Sequence, residues 1–212
     1  QTLLGIQFYP QDSIAEDTLL FAVRQVVRAI KFKTVPLAFV AYGSQQTVKT
    51  VATQLQSLSV RPTSVDEIYS GIPYIPMQKG TTFGFLRMFP KGEALDDLGP
   101  MDIPVFDELP LDLSVVAGVI TTVVQDAGAH VNLKSKERNT PNMVLRDQKK
   151  LETLMSYNNK PIKLTVNSEA PEIVLLEDNT HSAEVAAEMV RKYHSDKMKE
   201  KKWVPIKSGK DL

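Results

Sequence analysis

The chain has 212 residues, 42% of them hydrophobic, which suits one large or two small domains with packed cores. Lys and Arg number 25 against 25 Asp and Glu, so no net field draws the chain to nucleic acid or to an anionic membrane. Cysteine is absent, which excludes disulfides, cysteine metal sites and thiol catalysis. No apolar run approaches the ~18 residues of a membrane span.

Leu3 to Tyr9 alternates as a strand, with Ile6 and Phe8 on one face, and Pro10 stops it. Ser13-Ile-Ala-Glu16 has the form of a capping box, in which each side chain satisfies a backbone N–H at a helix start. The helix it opens is expected to reach Ile30, with Val23, Val26, Val27 and Ile30 as its buried stripe. Val35 to Tyr42 is continuously apolar, as in a central strand. Gly43-Ser44 then opens a helix with Val48, Val51, Leu55 and Leu58 on one face, and Val60 to Val65 reads as a third strand. This β-α-β-α-β order implies a small α/β domain with a largely parallel sheet. Gly43-Ser44 lacks both the Walker pattern and G-x-G-x-x-G, so it reads as strand-to-helix punctuation, not a nucleotide loop.

Ser70 to Gly80 carries two prolines and two glycines among aromatic and apolar residues and reads as an extended domain junction. Thr82 to Phe89 is the next strand. Gly84 and Gly92 mark close packing or turns. Leu95 to Leu113 is rich in Asp, Pro and Leu; its acid pairs Asp96-Asp97 and Asp107-Glu108 lack a third metal ligand at useful spacing and read as solvated turn carboxylates. Val115 to Ile120 is expected as a buried strand. A polar loop with Asp126 and Gly128 follows, and a helix begins at His130. Asn139 and Pro141 end it, because Asn tolerates the left-handed conformation and Pro cannot continue the helix. Asn142 to Leu145 returns as a strand. Gln148 to Tyr157 is a short helix with Leu151, Leu154 and Met155 inward. Asn158-Asn159 turns the chain into a strand through Ile162, Leu164 and Val166, with Ile173 to Leu176 as its neighbour. Ala183 to Lys202 is a charged terminal helix with Val185, Met189 and Tyr193 on one side, followed by the apolar hook Trp203-Val-Pro-Ile.

Gly118-Val-Ile-Thr-Thr, the loop, Gly128-Ala-His130-Val-Asn-Leu-Lys-Ser and Arg138-Asn-Thr-Pro-Asn142 together carry the chemistry. A histidine at a helix N-terminus stands where backbone N–H groups and the positive dipole end favour an anion. This stretch, from about Gly80 to Glu177, resembles the phosphohistidine (swivelling) domain of phosphoenolpyruvate synthase and pyruvate phosphate dikinase. The likeness is to a variant found beside PEP/pyruvate-binding, ATP-grasp-like domains in large bacterial proteins. It is carried by His130, Val131, Asn132, Ser135, Arg138, Thr140, Pro141, Asn142, Met143, Leu145, Arg146 and Asp147. Two departures stand out: Ala129 where such domains have Ser or Thr, and Asn139 in place of Gly.

The resemblance implies a swivelling β/β/α phosphohistidine-like domain over residues 76–180; the apolar pattern adds an α/β accessory domain over 1–75 before it and a C-terminal helix and linker over 181–212 after it. The resemblance also implies that His130 is a transient phosphoryl acceptor, supported at the phosphate by Thr121, Thr122, Gly128, Ser135 and Arg138, with Asp126 as a further candidate. No metal site or cofactor of this region's own is expected; ATP and Mg are implied for an ATP-grasp-like PEP/pyruvate-binding partner domain in the same or another chain. The chain would then be the carrier part of an ATP-dependent phosphotransferase and not a whole enzyme. The alternative is a non-catalytic relative serving as an interaction or scaffold module, toward which Ala129 tilts by removing a hydroxyl. Of the three histidines, His181 and His194 read as solvent-exposed. No zinc spacing or nucleophile elbow is present. Because the chain begins at Gln1, a trimmed or processed product is expected. A cytoplasmic location fits ATP dependence, and export stays open.

Overall fold

A computed structural model describes residues 3–8, 14–31, 34–41, 50–91, 97–125 and 128–200, in two units, Gln1–Gly71 and Ile72–Leu212. The protein is α/β, with one parallel and one mixed sheet.

In the first unit β1 (Leu4–Ile6), β2 (Leu37–Ala41) and β3 (Val60–Ser64) form a parallel sheet in that spatial order. β2 lies between its neighbours and is buried from Ala38 to Ala41, which explains its unbroken apolar run. Helix α1 (Glu16–Ala29) packs on this core through Leu19, Leu20 and Val23, with Val27 at the margin. Val23 and Val27 of the expected stripe do face the core, but Val26 is exposed, because Leu19 and Leu20 join Phe39 and Leu55 in the core instead. The cap position is held by Ala15, without a side-chain hydrogen bond, and not by Ser13, which lies outside the described residues. Gly43, Ser44 and Val48 also lie outside them. The following helix, α2 (Ala52–Ser57), buries Leu55 beside Val51. A working Ser-x-x-Glu cap occurs instead at Ser64, whose Oγ accepts from Glu67 N–H at 3.1 Å and starts α3 (Val65–Ile68). The Glu67 carboxylate accepts from Thr63 and Arg61, and those bonds hold its pKa below the ordinary value.

In the second unit seven strands lie in the order β10-β9-β5-β6-β7-β8-β4. They are β4 (Tyr74–Gln78), β5 (Gly80–Phe89), β6 (Asp102–Phe106), β7 (Val119–Thr121), β8 (Asn142–Leu145), β9 (Pro161–Val166) and β10 (Glu172–Leu175). β5 to β8 run parallel; β4, β9 and β10 pair antiparallel at the flanks. The expected junction over 70–80 is thus largely strand. Pro76 is tolerated because β4 is an edge strand whose register shifts between Pro76 and Gln78. β6 falls in the stretch read as turns. Its Pro104 lacks an N–H, and β7 pairs only with Val105 and Phe106 beyond it. β7 itself starts at Val119, with Val115 exposed in the preceding loop.

Alternate residues of each strand serve opposite faces. Leu86, Val105 and Ile120 join one cluster, which is closed by Leu154 of helix α5 (Gln148–Ser156). Phe89, Phe106 and Val119 join the other, closed by Val131 of helix α4 (His130–Arg138). Met155 was expected inward on α5 but is exposed, since Leu151 and Leu154 make the contact.

The terminal helix α6 (Ala183–Glu200) buries Ala186 and Val190 against β5 and β9, one residue round from the expected Val185 and Met189, both of which are exposed. Alanine at 186 lets the helix approach the sheet closely. β6 pairs with β5 only from Phe85 onward, so the carbonyls of Thr81 and Phe83 face α6 instead. Tyr193 Oη donates to Thr81 O at 3.0 Å and His194 Nε2 to Phe83 O at 2.7 Å, which satisfies that open edge. His194 is accordingly half-buried and committed, contrary to the solvent-exposed reading.

Asp178 holds the turn before α6. Its carboxylate accepts from Thr180 N–H, Thr180 Oγ1 and His181 N–H, and these bonds depress its pKa strongly, the Thr180 hydroxyl first. A depressed folded value means the contribution is full above the unfolded carboxylate value of ~3.9 and is lost as pH falls below it. Hydrogen exchange at the Thr180 and His181 amides should therefore show protection near neutral pH that fades in acid. Asp178→Ala should remove it at every pH.

Candidate functional site

α4 leaves β7 by way of the loop after Thr121 and returns directly into β8. His130 is its first residue and is exposed, while Ala129 before it is buried and offers no side-chain cap. Val131 is fully buried in the cluster with Phe89, Phe106, Leu113, Val116 and Val119, so the helix start is seated on the sheet while the imidazole faces outward. Asn139 ends the helix at φ 53°, ψ 37°, the left-handed cap that Asn tolerates, and Thr140 N–H donates to Ser135 O at 2.9 Å.

The proposed supporting residues fall into distinct places. Gly128 is exposed, two residues before His130. Thr122 Oγ1 donates to the Asp107 carboxylate at 3.0 Å, which ties the loop to the end of β6. Thr121 is fully buried; its Oγ1 donates to Val123 O at 2.8 Å. Ser135 is also fully buried, and its hydroxyl donates to Val131 O at 2.6 Å, inside the helix. Arg138 stands at the opposite end of α4 and donates to the carbonyls of Leu113 and Ser114, both at 3.0 Å. Thr121, Ser135 and Arg138 thus shape and anchor the helix, because their polar atoms are used within the fold. Asp126 lies outside the described residues. Among the described residues there is no group of three His, Cys, Asp or Glu able to hold a metal, and no helix is long and apolar enough to cross a membrane.

One element of the site escaped sequence reasoning. Gln125 and Asn142 form a buried reciprocal amide pair between the loop and β8. The only signal was a polar residue heading the otherwise apolar strand Asn142–Leu145. No family model and no curated protein matches the chain.

Proposed function

We propose that this chain is the phosphoryl-carrier region of a dikinase-like phosphotransferase, a swivelling-type domain in which His130 is the transient acceptor. The observation that supports this most is an exposed imidazole on the first residue of a nine-residue helix, seated by its buried neighbour Val131. In such a transfer a neutral imidazole nitrogen forms the N–P bond as the P–O bond to the donor's leaving phosphate breaks. The second nitrogen keeps its proton. The phosphoryl oxygens then lie near the first-turn N–H groups of α4 and its positive dipole end. Donor and acceptor substrates, with ATP and Mg, belong to a partner domain of the ATP-grasp-like PEP/pyruvate-binding kind.

Ala129 and the inward commitment of Thr121, Ser135 and Arg138 favour a second reading, a scaffold module of the same design without transfer. The two separate on one experiment. The full-length protein, with its ATP-binding domain, is incubated with β- and γ-labelled ATP and assayed for acid-labile, base-stable label. Under the carrier reading, label forms, disappears in His130→Ala and persists in His181→Ala and His194→Ala. Absence of label in the wild type sinks that reading and leaves the scaffold.

A further inference from the structure

Between the end of β7, the loop after it and the start of β8 lies a buried polar cluster that the transfer chemistry itself does not use. Gln125 is 5% exposed, and Asn142 and Thr121 are fully buried. Gln125 Nε2 donates to Asn142 Oδ1 at 2.7 Å and to Thr121 Oγ1 at 3.0 Å, and Asn142 Nδ2 donates back to Gln125 Oε1 at 2.8 Å. Thr121 spends its only hydroxyl proton on Val123 O, so it can only accept from Gln125. That fixes which way round the Gln125 amide sits, and the Gln125 amide in turn fixes that of Asn142. The network admits one arrangement.

An apolar pair of similar volume would fill the same space without demanding any particular register. The amide pair instead fastens the loop, five residues before His130, to the first residue of β8, three residues beyond the Asn139 cap. The whole excursion from β7 through α4 to β8 is closed at its base by this pair. Val131 seats the other side of His130 on the sheet.

We propose that Gln125 and Asn142 are positioning residues for His130: their reciprocal amide bonds hold the loop so that imidazole and first-turn N–H groups converge on one phosphoryl group. This rests on the carrier reading of His130.

The test uses the whole chain and phosphoramidate, a small phosphoryl donor that needs no partner domain. The variants are Gln125→Leu/Asn142→Leu together, which leaves no orphaned amide, and Gln125→Met, which is read the same way should the double variant fail to fold. Hydrogen exchange at residues 121–125 and 130–133 should quicken about tenfold in the variants, while β5 and β9 stay protected. Phosphorus NMR should show phospho-His130 in the wild type outliving phospho-His181, the control on the same chain, by about threefold or more through the helix N-terminal groups. In the variants the two lifetimes should converge. Unchanged exchange, or an unchanged lifetime ratio beside quickened exchange, overturns the proposal, since a purely structural pair would lower stability without touching that ratio. Equal lifetimes already in the wild type overturn the carrier reading, and with it the positioning role, while quickened exchange would still show that the pair holds the loop.

Discussion

Gly84→Ala is expected to cost the second unit roughly 3 kcal/mol, at the upper end of what overpacking a core does, and Gly84→Val more. A Cβ at this position would lie 2.6 Å from Met101 O and 2.8 Å from Ile103 Cγ1. Neither neighbour can give way cheaply. Met101 O accepts from Phe85 N–H at 2.9 Å where β5 and β6 begin to pair, and Ile103 is fully buried in the main cluster. Gly99→Ala is the control: its Cβ would meet only Asp102 Oδ2 at 3.5 Å, so a change within about 0.5 kcal/mol is expected. Urea unfolding followed by circular dichroism gives the midpoints, and hydrogen exchange at β5 and β9 places the loss. A Gly84→Ala midpoint equal to that of Gly99→Ala would mean that β5 and β6 do not approach so closely.

Strands and helices were legible wherever the apolar pattern was long and local. β2, β5, β8 and β9 follow directly from it, and the Asn139 cap follows from residue type, since Asn accepts the left-handed conformation. What failed depended on neighbours. Pro76 and Pro104 are breakers by local rule, yet an edge position and the short reach of β7 make room for them in strands. On α6 the stripes Val185–Met189 and Ala186–Val190 are equally periodic, and only the sheet beneath decides which is buried. The cap place of α1 falls to Ala15, which has no side-chain oxygen to offer, while the Ser-x-x-Glu at Ser64 does cap its helix. The same limit applies at the site. The position of His130 was readable from the helix punctuation. That Ser135 and Arg138 face inward or toward the 113–114 carbonyls was not, because residue type does not say which way a helix is turned.

The turn of α4 has a direct consequence that two aspartates can read out. Val131 and Leu133 are both apolar and lie two positions apart, roughly 200° round the helix. Val131 is fully buried among Phe89, Phe106 and Val119, whereas Leu133 is 50% exposed. Val131→Asp would place a carboxylate in that cluster with no cation among the cluster's members, and the expected cost is about 4 kcal/mol or more. Leu133→Asp puts the same charge in water near a helix N-terminus, where the dipole favours it, and should fall within about 1 kcal/mol of the wild type. The buried carboxyl would have its pKa raised, so the Val131→Asp deficit should shrink as pH falls and the group is neutralised, while Leu133→Asp should show no such recovery. Under the carrier reading the two also part in function. Val131→Asp lifts the helix start from the sheet and should lose the phosphoryl label with the fold of α4, while Leu133→Asp should keep it. Equal destabilisation by the two substitutions would mean that α4 is rotated about its axis, and His130 would then no longer be the residue that faces outward.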